Sequence, residues 1–352
     1  MARTFKNLLG DDRVNTRTLL HEAIPITGSI VSGTYQTVPG TELNIKSFTH
    51  GMFQSVYDYP FLSSSANHIF DISYGYNSSI SASAFTQNSK KVNIYNQMAQ
   101  VLMGYDVSGN IRNFDSDGTL SDTGAADAGT MNSCFFINFS RLLVKDEIKK
   151  NTFRMPLYTS GTVASRTTLK TIGDYLSANE FRTSPAGDYG LIFTSSANSD
   201  ETASSVGLVF YQAGVVVLTS SVFTGEFGTD SFFDGPQPNA ITASITGSTI
   251  GALADGFRHR LDDIDFNNTI ELNSTIYFCR VNHNEFNYSS NPTYVTGSKI
   301  RVKNNVSDLP ISYITTVGLY SPDNELMAVA KLSEPIRKDP NTELTLRVRL
   351  DY

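Results

Sequence analysis

A mainly β fold, built of β-sandwich-like sheets with two or three short α-helices and an α+β N-terminal half, is predicted by three features of this chain. Charged residues make up only 17% of the 352, against 40% hydrophobic and 11% aromatic, so polarity comes from Ser, Thr and Asn. That mixture suits pleated strands and the turns between them. Near the C-terminus Leu344, Leu346, Val348 and Leu350 alternate with Thr345, Arg347, Arg349 and Asp351, the period of a strand half buried in a sheet. The run Val206–Tyr211, the turn Gln212-Ala213-Gly214 and the run Val215–Thr219 together read as a β-hairpin.

Taken in order, residues 13–24 place Val14, Leu19, Leu20, Ala23 and Ile24 among charges before Pro25, a pattern that predicts a short amphipathic helix. Strands are expected at Ile26–Val31 and Glu42–Phe48, followed by the aromatic stretch Met52–Phe61. The clearest helix is Lys90–Met103. There Ile94, Tyr95, Met98, Val101 and Leu102 recur at spacings of three and four, with Ser89 placed to cap and Gly104 to stop. A Gly/Asp/Ser/Ala-rich surface loop covers 106–132, then strands are expected at Cys134–Val144 and Thr152–Tyr158.

Leu169, Ile172, Tyr175 and Leu176 carry a helical spacing. A second Gly/Ser/Asp/Pro-rich excursion covers 224–256, Thr269–Val281 alternates as a strand, and 311–352 reads as a three-stranded meander with proline-marked turns. A chain ending mid-strand places its C-terminus inside the folded body, tied down by neighbours. The domain expectation is an N-terminal α+β region, 1–150, and a β-rich region, 151–352.

Composition excludes several partners. A net charge of −7 and a pI near 5.3 give no broad attraction to phosphate backbones or anionic lipid. No uninterrupted run reaches the roughly 18 apolar residues of a membrane span, and Met1–Gly10 lacks the apolar region of a signal peptide. Cys134 and Cys279 sit in apolar runs and read as free thiols packed as small hydrophobes.

Chemistry-bearing motifs are sparse. No pair among His21, His50, His68, His259 and His283 has the spacing that sets two imidazoles on one helix face, and neither cysteine belongs to a C-x-x-C. Asp115-Ser-Asp117-Gly118-Thr-Leu-Ser-Asp122 resembles a calcium loop, but its glycine comes two residues early and the closing glutamate is missing, so it reads as a solvated turn. No phosphate-binding glycine loop and no nucleophile elbow occur. Arg347 and Arg349 read as partners of acids such as Asp351, and Lys145–Lys150 as a charged turn or helix end. No catalytic, cofactor-binding or metal-ligating residue is assigned.

The segments His283–Tyr294, Ile311–Tyr320, Glu325–Leu332 and the closing Leu-Arg-Val-Arg-Leu-Asp-Tyr352 carry a further signal. Over roughly the last seventy to eighty residues the text resembles virion structural proteins of tailed bacteriophages, particularly large contractile-tailed phages of the T4-like and marine cyanophage type. The resemblance implies a non-catalytic subunit of the tail or baseplate, without cofactor. Such a subunit is made in the host cytoplasm and held in the virion by other virion proteins and copies of itself. The loops 106–132 and 224–256 are the expected partner-binding segments. A fibre or receptor-binding protein, a capsid decoration protein and an envelope-polymer hydrolase are the alternatives.

Overall fold

The computed structural model describes residues 5–27, 43–63, 65–80, 86–116, 129–162, 165–194, 205–220, 248–289, 295–296, 299–300, 305, 307 and 309–352. In chain order the first half forms β1 (Arg13–Thr27), β2 (Ile45–Ser47), β3 (Gln54–Tyr57), β4 (His68–Tyr76), α1 (Asn88–Leu102), β5 (Ser133–Phe139), α2 (Arg141–Val144), β6 (Glu147–Ile148), β7 (Arg154–Thr162) and β8 (Ser165–Gly173). The second half forms β9 (Arg182–Ser184), β10 (Gly187–Ile192), β11 (Gly207–Phe210), β12 (Val215–Thr219), α3 (Ile250–Arg258), β13 (Asp263–Val281), β14 (Val295–Thr296), β15 (Lys299–Ile300), β16 (Ser312–Tyr320), β17 (Leu326–Lys338) and β18 (Leu344–Asp351). The fold is mainly β. Two compact units are present, each described by itself: unit 1 comprises Met1–Leu19 and Glu271–Tyr352, and unit 2 comprises Leu20–Ile270. Residue 150 lies inside unit 2.

Unit 2 is built on an eight-stranded antiparallel sheet ordered β2-β3-β4-β5-β12-β11-β10-β9. Its central strands, such as Cys134-Phe-Phe-Ile137 and Val215-Val-Val-Leu218, are apolar on both faces and buried throughout. A sheet of that kind needs a layer on each side. The α1 helix covers one side at Gly75, where an added Cβ would lie 2.7 Å from the Lys91 carbonyl oxygen and 2.8 Å from the Tyr95 amide nitrogen. Only glycine lets the helix backbone rest so closely on β4. Tyr95 then packs edge-on to Phe114 and Phe136, its hydroxyl donating to the Met131 carbonyl at 2.9 Å.

The opposite face presents Tyr74 and Phe135, with centroids 4.9 Å apart, and Phe257 of α3 stacks on Phe135 at 5.1 Å. Further along β5, Phe139 meets Phe153 at 6.3 Å and Phe266 of β13 at 5.0 Å. Within unit 2, β13 pairs with β7 and β6, and β7 pairs with β8 from Arg154↔Gly173 to Thr162↔Ser165. The sandwich-like core is thus a large sheet with α1 on one face, and α3 and a second sheet on the other.

Several expectations are corrected. Residues 13–24 form no helix: β1 runs from Arg13 to Thr27 with Val14, Leu19 and Leu20 exposed, while Ile24 packs against the core. Its Thr and Ile content and its pairing with β13 favour the strand, and an edge position tolerates Pro25. Only the start of the expected strand Ile26–Val31 falls among the described residues, as the end of β1. Leu169–Leu176 is not helical either, because β8 carries it to Gly173 and a turn follows; Ile172 is buried while Leu169 is 48% exposed.

Part of the loop expected at 224–256 is α3. Thr249 caps it, accepting from the Ala252 amide at 3.1 Å, and Ile250, Leu253, Ala254 and Phe257 line its buried side. Ser89 does not cap α1; the cap position is Gln87, whose side-chain oxygen accepts from the Ile250 amide at 2.8 Å and so ties the start of α1 to the start of α3. In the loop expected at 106–132, Phe114 and Met131 are buried and Asp115 bridges to Thr130. Residues 117–128 and 224–247 lie outside the described residues. The hairpin at β11 and β12 forms as expected, with Gly214 at φ +67° in its turn.

Asp174, directly after β8, holds unit 2 together by polar contacts. Its carboxylate is wholly buried and accepts from the amides of Asn151 and Phe153, the Ser177 and Tyr211 hydroxyls and Arg154 Nη1, at 2.7–3.0 Å. Burial raises its pKa, opposed first by the Ser177 hydrogen bond. Asp174→Ala removes an acceptor shared by five donors, among which the Phe153 amide and the Tyr211 hydroxyl donate to it alone, and should cost about 3 kcal/mol or more in unfolding free energy. Asp174→Asn should fall between this variant and wild type. Urea midpoints at constant slope measure the effect; a loss under about 1 kcal/mol would contradict it.

Candidate assembly surface

The main hydrophobic cluster runs from Ile26 to Phe266 and contains no described residue of unit 1. Among the described residues of unit 1, Val281 and Val348 are the only buried hydrophobic side chains. Large apolar groups are instead held outward: Leu9 is 71% exposed, Met327 70% and Tyr352 76%. Strands form because backbone groups pair, but strand pairing alone does not remove side chains from water.

Two antiparallel pairings build the unit. In the first, β13 and β18 pair from Ser274↔Asp351 to Val281↔Leu344. Alternation puts Tyr277, Cys279, Val281, Leu346, Val348 and Leu350 on one face, while Arg347, Arg349 and Asp351 occupy the other. The alternation expected for the last strand is therefore present, but the C-terminus is not enclosed. Nor do the last three strands form a meander: β16 and β17 pair with each other in a separate two-stranded ribbon, and β18 joins β13. β18 finds a longer unbroken register there.

The ribbon pairs Tyr313 with Arg337 and Ile314 with Ile336, skips Leu332–Pro335, then continues from Thr316↔Lys331 to Leu319↔Ala328. Its tip is closed by Ser321 and Asn324, the latter at φ +64°. Among the described residues no other strand or helix packs extensively on either strand. Tyr313, Tyr320, Leu326, Met327 and Val329 are exposed, while Val317, Leu319, Ala328, Ala330 and Leu332 form a half-buried stripe on the reverse face.

The base of the ribbon is fixed by polar contacts. Lys338 is buried, and its ammonium donates to the His283 carbonyl at 3.1 Å, Asn287 Oδ1 at 2.6 Å and the Asp339 carbonyl at 2.8 Å. Burial lowers its pKa, opposed by the charges of Asp339, Glu343 and Glu285. Ser312 donates to the Phe286 carbonyl, Lys6 pairs with Glu285 at 2.6 Å, and the Phe5 ring meets Tyr320 edge-on at 5.1 Å. At the end of β18, Asp351 accepts from Ser274 at 2.6 Å and from Arg349 at 2.7 Å; these two contacts, Ser274 first, hold its pKa below the ordinary carboxylate value. Arg349 is thus the partner of Asp351 that the sequence suggested.

Groups able to do chemistry are dispersed or structurally engaged. His68 and Ser55 both contact Asp71, His21 contacts Thr269, His283 contacts Glu343, His50 stacks on Phe48 and His259 is buried. The Ser55–Asp71–His68 set has the composition of a triad but the wrong connections: both side chains meet the acid, and no Ser–His bond prepares a nucleophile. Among the described residues no group of three or more His, Cys, Asp or Glu gathers to hold a metal. Of the aspartates in the 115–122 segment only Asp115 is described. Cys134 and Cys279 are free, the first buried and the second half-buried. Lys145–Lys150 forms the end of α2, a turn and β6, and Lys150 pairs with Asp188 at 2.6 Å. Among the described residues no helix is long and apolar enough to cross a membrane.

What sequence reasoning missed is the surface itself, because alternation in β16 and β17 implies burial by a second layer that the described residues do not supply. No protein-family model, curated protein or solved structure matches this chain.

Two outcomes are expected. In the dilute chain, amides of β16 and β17 exchange faster than those of β4, β5, β11 and β12, measured residue by residue by hydrogen exchange. Thr342 first, then Asn341 and Arg337, hold Asp339 below its ordinary value of 3.8, as Ser274 and Arg349 do Asp351. A depressed carboxylate pKa stabilises above the unfolded value and loses that contribution as pH falls through the folded one. Protection at β18 and at residues 339–342 should therefore be constant above about pH 5 and decline below about pH 4; a loss between pH 7 and 5 would point to another group.

Proposed function

We propose that this chain is a structural subunit of a tailed-phage virion, a baseplate wedge or a tail or neck connector, working through protein–protein contacts. The observation that carries the reading is the contrast between the units. Unit 2 is a closed core with layers on both sides of its large sheet, and unit 1 is a set of strands with two buried hydrophobic residues among those described. A free enzyme or carrier gains nothing from such strands, whereas a subunit in a fixed assembly gains them a second layer from its neighbours. The resemblance of the last seventy to eighty residues to virion proteins covers the same unit. Partners are other virion proteins and copies of the chain.

The reading is tested by locating the subunit in reconstructed density of an intact particle from the source phage. The expected result is density at the tail or baseplate with unit 1 covered by neighbouring chains. Binding of the isolated protein to host cells would instead favour the fibre reading, a position on the head would favour a decoration protein, and turnover of envelope polymer by the pure chain would overturn the structural role.

A further inference from the structure

The two strands of the ribbon differ in how their outer edges are guarded. Within and beside its paired stretches β17 carries Lys331, Glu334, Pro335, Arg337 and Lys338, the charged and proline residues that keep an edge from pairing with another chain. β16 carries none: Ser312-Tyr-Ile-Thr-Thr-Val-Gly-Leu-Tyr320 has no charge, no proline and strong β-formers at six of its nine positions. Its edge opposite β17 is unpaired among the described residues.

We infer that β16 pairs antiparallel with β16 of a second copy of this chain across a two-fold axis at Thr316, joining two ribbons into one four-stranded sheet. The inference rests on the assembly reading for its context and names the partner and register. Full overlap of the nine residues requires a centre at Thr316. That register sets Tyr313 against Leu319, Ile314 against Gly318 and Thr315 against Val317 of the partner. Exposed Tyr313 then lies beside half-buried Leu319 of the partner, an apolar cross-strand pair that the lone ribbon lacks.

Electrostatics permit the contact. No charged side chains are brought face to face along β16. Unit 1 has 13 Lys and Arg against 11 Asp and Glu, a net of +2, while the whole chain carries −7, so the charge of the unit that carries β16 is small. Two-stranded ribbons are marginal alone, and four strands with one apolar face meet the usual requirement for stability.

The test uses the full chain with Cys279→Ser. Thr316→Cys places its thiol opposite its own copy at the axis, and mild oxidation should give a covalent dimer far faster than the control Thr345→Cys on exposed β18. Thr316→Glu keeps the ribbon, since the new carboxylate faces Lys331, but sets two carboxylates together at the axis. Self-association measured by sedimentation should weaken about fivefold or more. Equal cross-linking of the two cysteine variants, or an unchanged association constant for Thr316→Glu, overturns the inference. A β16 dimer in a protein missing from the particle would sink the assembly reading and leave this pairing standing; particle density with another chain along β16 would do the reverse.

Discussion

Apolar side chains leave water only when a second layer covers them, and among the described residues that layer exists for unit 2 and not for unit 1. In unit 2 the central strands β4, β5, β11 and β12 are sealed by α1 on one side and by α3 and a second sheet on the other. At about 25 cal/mol per Å² of apolar surface removed from water, such a core carries most of the folding free energy. Unit 1 must rely on backbone pairing and on polar fasteners at Lys338, Glu285 and Asp351. The exposed Arg349–Asp351 pair adds about 0–1 kcal/mol, while Lys338 and Glu285 are buried and fix the base of the ribbon.

The polar groups of unit 2 serve the same sealing. Asp174 gathers five donors at the place where the chain enters β7 and leaves β8, and two of them are backbone amides that no strand partner takes. Desolvation of that carboxylate is offset by the donors around it, which is how a buried acid becomes a structural clamp. Ser55, His68 and Asp71 follow a similar logic, each hydroxyl and ring nitrogen spent on the acid. Geometry of this kind orders loops and strand ends, and it places no nucleophile against a base.

The sequence revealed strands more readily than layers. Period-two alternation located β18 and the β11–β12 hairpin because those signals are local and the turn residues agree with them. Helix spacing failed at 13–24 and at Leu169–Leu176, where a few apolar residues fell three or four apart by chance while β-branched residues and a partner strand decided the outcome. The reverse failure hid α3. Gly251 and Gly256 made the segment resemble a loop, though Ile250, Leu253, Ala254 and Phe257 mark one helix face and Thr249 supplies the cap. Phe114 was one aromatic in a glycine- and aspartate-rich stretch, and only the fold shows that it anchors against Tyr95 and Phe136.

The surface of unit 1 was illegible for a different reason. Alternation states that one face of a strand prefers to be dry, but it does not say which chain provides the cover. In β18 the neighbour is β13, nearly seventy residues earlier, and in β16 and β17 the described chain provides only the strands themselves. Retaining Tyr, Leu, Val and Met outward on a two-stranded ribbon is a hazard for a monomer, since unguarded edges recruit other strands. That hazard is confined here to one strand and answered on the other by lysine, arginine and proline. An edge guarded on one side only is a directional device: it limits association to a single line of backbone groups and leaves the rest of the ribbon to fix the register.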